Sequence, residues 1–173
     1  MPVNARGWLP YIVIALVAAV AVHLGTVWYL PHLVMDKAMT QMGAVNTIHH
    51  GLRATAGKRG VVRPSPDLLY SVCPYDLSSG APLHVTAPVP PGTYWSVSVF
   101  DDATNNVFVL NDTHAGRAVD FLIVPMNWQK PMPYRVVRSP SDKGLVVFRT
   151  LVNDETNLAA IDKARRKAKC APL

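Results

Sequence analysis

The sequence predicts a mainly β protein: an antiparallel β-sandwich or jelly-roll-like domain with a C-terminal helix, preceded by an N-terminal transmembrane helix and an amphipathic helix. Three observations carry this expectation. Trp8 to Leu30 contains no Asp, Glu, Lys or Arg. Past Asp67 the apolar residues change period, from every third or fourth position to every second. Clusters of Pro, Gly, Asn and Asp then divide the chain into segments of strand length. The expected organisation is a short tail over 1–7, a transmembrane helix over 8–30, an amphipathic helix over 31–56, a linker over 57–66 and a β-rich domain with its closing helix over 67–173.

As a helix, Trp8 to Leu30 spans roughly 34 Å, enough to cross a hydrocarbon core of about 30 Å. Trp8 and Tyr11 stand at one end and Trp28 and Tyr29 at the other, where amphipathic rings sit at head-group level. A cleaved signal peptide is the alternative, with Arg6 as its basic region and Ala19-Val20-Ala21 as its cleavage site. The apolar run continues to Leu30, however, and a cut after Ala21 leaves an apolar stub, so an uncleaved anchor is the preferred reading. The tail before it is short, and long domains translocate largely regardless of charge. This favours a single-pass protein of the inner (cytoplasmic) membrane with its C-terminal domain in the periplasm.

Pro31 is expected to end or kink the helix. Beyond it Met35, Met39, Met42, Val45, Ile48 and Leu52 recur at helical spacing, forming a face that docks a partner or packs on its own domain. His49 and His50 fall on this predicted helix about 100° apart, which disfavours shared ligation of one ion; no metal site is expected. Gly57 to Pro66 (GKRGVVRPSP) has the Gly, Pro and charge content of a linker.

The strands follow in order: Leu69–Cys73, Leu83–Thr86, Tyr94–Phe100, Val107–Leu110, Phe121–Val124, Tyr134–Val137 and Leu145–Val152. The third alternates clearly, with Trp95, Val97 and Val99 on one side and Tyr94, Ser96, Ser98 and Phe100 on the other. Asp154 is the expected N-cap of the closing helix, with Leu158, Ile161 and Ala164 or Arg165 along one face.

The net charge of +6 is concentrated in two groups, Arg53 to Arg63 and Lys163 to Lys169. Each is read as a solvated surface, the second also complementing its helix dipole; attraction to anionic lipid or an acidic partner is the functional alternative. Neither group is interleaved with aromatic residues, which argues against nucleic acid as a partner. No Rossmann glycine pattern, P-loop or nucleophile elbow occurs, and no cofactor is expected.

The most polar stretch is Asp101, Asp102, Ala103, Thr104, Asn105, Asn106, with Asn111 to His114 after the next strand. A hairpin is expected to bring the two groups together at one end of the domain. Carboxylates beside a histidine suit acid–base or metal-assisted hydrolysis, but Asp, Asn and Thr also satisfy turn backbone by themselves. Tyr70 and Trp95 are candidate pocket walls, although aromatic residues in strands are mostly core. Candidate ligand-binding residues are thus Tyr70, Trp95, Asp101, Asp102, Thr104, Asn105 and Asn106; no catalytic residue is assigned. Cys73 and Cys170 form a bridge if the domain lies outside the cytoplasm, or are otherwise two unrelated thiols.

Three segments in order, RPSPDLLYSVCPYDLS from Arg63, GTYWSVSVFDDATNNVF from Gly92 and RSPSDKGLVVFRTLVND from Arg138, resemble the bacterial domain-of-unknown-function 1254 family. Leu68 stands where that family commonly has Thr, and Cys73-Pro74 is a local departure. The resemblance implies a β-sandwich-like domain and carries over no catalytic residue. It also implies a partner: larger members resemble this domain joined to one of the domain-of-unknown-function 1214 type, which a separate membrane-anchored chain would supply. The function expected is a non-enzymatic interaction or accessory module in the membrane; the alternative is a hydrolase or carbohydrate-type binding domain using Asp101 to Asn106.

Overall fold

The structure is a computed structural model that describes residues 5–54 and 64–173. It opens with one helix, α1 (Ala5–Met42), which passes through Pro10 and Pro31. In the turn around Pro31, the His32 ring hydrogen-bonds the Trp28 carbonyl at 2.8 Å. Large apolar side chains from Trp8 to Leu30 are exposed throughout, and the helix is long and apolar enough to cross a membrane. Burial begins at Met35 and Met39, where α1 meets the rest of the chain.

The expected amphipathic helix over 31–56 is corrected by this geometry. Its first part is the end of α1, and helix ends at Met42. Gly43 takes the left-handed conformation (φ 80°), and its N–H reaches the Met39 carbonyl at 3.1 Å, a glycine C-terminal stop. Asn46, also left-handed, then clips the chain to the domain. Its Nδ2 donates to the Asp76 carbonyl, and its Oδ1 accepts from the Asp76 N–H, both at 3.0 Å. His49 and His50 lie on a strand rather than a helix. Most of the expected linker, residues 57–63, lies outside the described residues.

The strands are β1 (His49–His50), β2 (Leu68–Asp76), β3 (Leu83–Pro88), β4 (Trp95–Asp101), β5 (Asn106–Asn111), β6 (Ala118–Pro125), β7 (Arg135–Ser139), β8 (Lys143–Leu151) and β9 (Lys169–Pro172). A short helix, α2 (Asp112–Ala115), follows β5, and α3 (Leu158–Arg165) follows β8. One sheet has the order β1-β2-β8-β4-β5 and the other β7-β6-β3-β9. Both feed one apolar core: Cys73, Tyr75, Val97 and Val99 from the first, Leu83, Val85, Phe121 and Ile123 from the second. All seven predicted strands are present. The expectation of wholly antiparallel pairing is corrected at β6 and β7, which run parallel because the chain between them crosses over instead of turning back.

Asp154 caps a single 3-10 turn (Glu155–Asn157), its carboxylate accepting from the Thr156 N–H, and α3 follows directly. Arg165 departs from the expected solvated basic face: it is 4% exposed. Its guanidinium donates to the Tyr70 carbonyl (2.9 Å), Ser71 Oγ (3.1 Å), the Gly51 carbonyl (2.9 Å) and the Asp162 carboxylate (2.6 Å). This buried cation clips α3 to β2 and to the chain just after β1. Arg165→Met removes the shared donor from all four acceptors and is expected to cost about 2–4 kcal/mol in denaturant unfolding; a change within about 0.5 kcal/mol would show that the clip carries no stability.

The clip is also expected to be acid-sensitive. His50 Nδ1 lies 2.8 Å from Ser71 Oγ. Burial, then the Arg165 charge, hold the His50 pKa below its ordinary value, while Arg166 and other hydrogen bonds lower that of Asp162. In both cases the unfolded chain binds protons more readily than the folded one. The stability they contribute is therefore present above the unfolded values and lost as pH falls, first below the ordinary imidazole value and then through the carboxylate range. Amide exchange in α3 is expected to quicken across that window, and an α3 exchange profile flat in free energy from pH 7 to 4 would refute the link.

Candidate functional site

The predicted polar loop joins β4 to β5. Asp101 is 4% exposed, and its carboxylate is occupied by the turn it begins. Oδ1 accepts from the Ala103 N–H (3.0 Å) and the Asn105 N–H (2.7 Å), while Oδ2 accepts from Asn105 Nδ2 (2.9 Å). Thr104 adopts φ 64° to close the loop, and the Asp101 N–H donates to the Asn105 carbonyl at 3.0 Å. The Asp101 side chain thus builds the hairpin. Asp102 turns toward α1, with Oδ1 3.9 Å from His32 Nε2. Thr104, Asn105 and Asn106 are exposed. Asp101→Ala is accordingly expected to destabilise the domain by about 1–2 kcal/mol, with Asp102→Ala within about 0.5 kcal/mol. The reverse order in thermal melts would refute this assignment of roles.

Two expected groupings are corrected. Asn111 pairs with Ser96 at the start of β4, whereas Asp101 ends that strand, so the Asn111–His114 group and the Asp101 loop sit at opposite ends of the hairpin. At its own end, Asn111 Oδ1 accepts from Thr113 Oγ1 at 2.7 Å and lies 2.8 Å from the His114 ring. Tyr70 and Trp95 are also separated. Trp95 is 1% exposed and packs on Phe148 in the core, while Tyr70 pairs with Arg149 on the outward face of the same sheet. One pocket cannot use both. Cys73 on β2 and Cys170 on β9 form a disulfide that joins the two sheets.

The outward face bearing Tyr70 meets the last turns of α1. A groove of about 470 Å³ lies between them. Val34, Met35, Ala38, Gln41 and Met42 supply the helix side; Tyr70, Val72, Leu145, Val147 and Arg149 line the sheet side. Phe100 and Thr104 also border it, so of the predicted residues Tyr70 and Thr104 reach this site. The Arg149 guanidinium donates to Ser98 Oγ at 3.0 Å. The alternation of β8 and the Met spacing of α1 were visible in sequence, but their meeting was not, because it depends on where α1 leaves the membrane-length segment. Other cavities among the described residues include two more. One of about 280 Å³ lies at the junction of α1 with the domain, among Tyr29, His32, Asp36, Asp102 and Lys143. Another, of about 530 Å³, lies at the far end among Pro90, Pro91, Tyr94, Asp112, Arg117 and Asn153. Among the described residues, no three His, Cys, Asp or Glu side chains are grouped to hold a metal ion.

Comparison with solved structures gives the VPA0106 protein of Vibrio parahaemolyticus, with TM-score 0.65 and 14% identity over 86% of this chain and 35% of that one. An uncharacterised protein from Burkholderia cenocepacia follows, with TM-score 0.53 and 16% identity over 69% of this chain and 35% of that one. The likeness is one of fold, and the chain spans about a third of each of these longer proteins. No curated protein matches. The family described as "Protein of unknown function (DUF1254)" matches residues 45–172, which takes in the whole two-sheet region together with α3, and the chain therefore belongs to the DUF1254 family.

Proposed function

We propose that the chain is a membrane-anchored accessory module of the inner membrane that holds a sandwich-like, two-sheet domain on the periplasmic side for interaction with a partner. The observation that carries this reading is the continuity of α1. The helix is exposed along its apolar length and becomes buried at Met35 and Met39 without a break. Such a helix would hold the domain at a set height and orientation over the bilayer, more firmly than a flexible tether. The disulfide agrees with an oxidising compartment. The partner proposed is a second membrane-anchored chain of the domain-of-unknown-function 1214 type, carried by the family resemblance. The Asp101 loop gives less support to a hydrolase, because its buried carboxylate is occupied by its own turn.

The test is alkaline carbonate extraction of membranes holding the full chain, followed by maleimide labelling of intact spheroplasts with and without reductant. The chain is expected to stay with the membrane, and its cysteines to label only after reduction and unfolding. Release of a shortened soluble chain would instead establish a cleaved signal. Free thiols reached only by permeant reagent would place the domain in the cytoplasm. Cross-linking in the same membranes should capture a second anchored protein; recovery of the chain alone would remove the partner.

A further inference from the structure

The groove between α1 and the outward sheet face is graded along its length. β8 begins at the α1 junction, where Lys143 and Asp102 border one cavity with His32, and runs away from it to Leu151. On the sheet side, the end of the groove near the junction is therefore lined by Leu145 and Phe100, and the far end by Arg149 and Tyr70. Leu145 to Arg149 covers about 14 Å of strand. The volume, about 470 Å³, is that of a small-molecule site.

Among the described residues, the far end has polar capacity to spare. A guanidinium carries five N–H donors, and Arg149 makes its side-chain hydrogen bond to Ser98. Directly opposite Arg149 on β4 is Ser96, whose side chain therefore shares the same sheet face. Ser96 is 2% exposed, and its hydroxyl has no hydrogen-bond partner among the described residues. Ser96 lies behind Arg149 and does not itself line the groove; the Arg149 cation at one end of otherwise largely apolar walls suits a carboxylate followed by a hydrocarbon chain.

We propose that the groove binds a long-chain fatty acid, with its carboxylate at Arg149 and its chain running back toward Leu145 and Val34. The ligand's source rests on the anchored reading. Val34 lies only four residues beyond Leu30, about 6 Å along the helix, so α1 provides a short path out of the hydrocarbon. The groove itself does not depend on that source.

The experiment uses the full chain in phosphatidylglycerol–phosphatidylethanolamine vesicles, a palmitate carrying a mid-chain diazirine, and mass spectrometry of the photolabelled peptides. Label is expected on 34–42 and 143–151, competed by palmitate and far less by hexadecanol. Val147→Trp and Ala38→Trp fill the groove from opposite walls and should each lower this labelling about ten-fold or more. Formation of the Cys73–Cys170 bridge verifies that each variant has folded. Arg149→Gln should erase the preference for palmitate over hexadecanol. Label confined to 8–30, labelling indifferent to both fillers, or cross-linking of two copies through the groove would overturn the proposal; an unchanged preference in Arg149→Gln would overturn the carboxylate site. Flotation of the vesicles tests the anchor separately. If the chain fails to float yet palmitate supplied from water labels the same peptides, the site stands and its membrane source falls.

Discussion

Gly144→Ala is expected to destabilise the protein by about 4 kcal/mol or more, a large share of the 5–15 kcal/mol that holds a typical domain folded. Gly144 lies on β8 opposite Tyr75 on one side and Asp101 on the other. A β-carbon there would run into the Phe100 carbonyl oxygen and the Tyr75 ring and hydroxyl. The first of these is backbone of a paired strand, so relief requires β4 and β8 to part. Tyr75 has no room to withdraw. It is fully buried, and its hydroxyl donates to the Phe100 carbonyl at 3.0 Å and lies 2.9 Å from Ser139 Oγ. Burial pushes its phenol up to about 12. Glycine is thus required by space, at the point where both sheets and the Asp101 turn converge. Tyr75→Phe alone should cost about 1–3 kcal/mol for the hydroxyl's bonds. Combined with Gly144→Ala it should restore little, because the Phe100 carbonyl and the aromatic ring remain in place. Urea unfolding of the four proteins measures this directly, and a double variant close to Tyr75→Phe in stability would show that the tyrosine hydroxyl, not the backbone, sets the limit.

The contrast between β4 and the chain before β1 explains which parts of the fold were legible. Trp95, Val97 and Val99 alternate with Ser96 and Ser98, and alternation reports directly that one face is buried, so β4 and its neighbours could be read locally. The Met spacing from Met35 also reported a buried stripe correctly as far as Met39, but periodicity says nothing about where a helix stops. The stop is set by Gly43 and by Asn46, whose partners lie 30 residues away in Asp76. β1 and β9 were missed for a related reason: with two and four residues they carry too little pattern, and they exist because β2 and β3 offer edges to them. The same holds for the candidate site. The Asp101 cluster was visible as composition, but whether its carboxylate faces a ligand or its own turn is a matter of a few ångströms. Arg165 read as one cation among five; its burial comes from Tyr70, Ser71 and Gly51, residues distant in sequence.

Removing the Cys73–Cys170 bridge is expected to have the other large effect, about 2–5 kcal/mol. The bridge closes a separation of 97 residues, for which the chain-entropy model allows a contribution of about 4.7 kcal/mol. Its position matters as much as the loop length. Cys73 is fully buried on β2 in one sheet, and Cys170 is on β9, an edge strand that pairs with β3 in the other. Between them the C-terminal segment has two attachments: the bridge for β9 and the Arg165 clip for α3. These should act in sequence. Cys73→Ala with Cys170→Ala should lower the urea midpoint and free the amides of β9 to exchange, while α3 stays protected through Arg165. Adding Arg165→Met should then release α3 as well, with a loss beyond the sum of the single changes, because each attachment limits the freedom the other must oppose. Reductant alone should act slowly on the parent protein, since a sulfur at 0% residue exposure is reached only when the sheets open. Rapid reduction under native conditions, or β9 and α3 losing protection together when the cysteines alone are replaced, would show that the C-terminal segment is held by a single attachment.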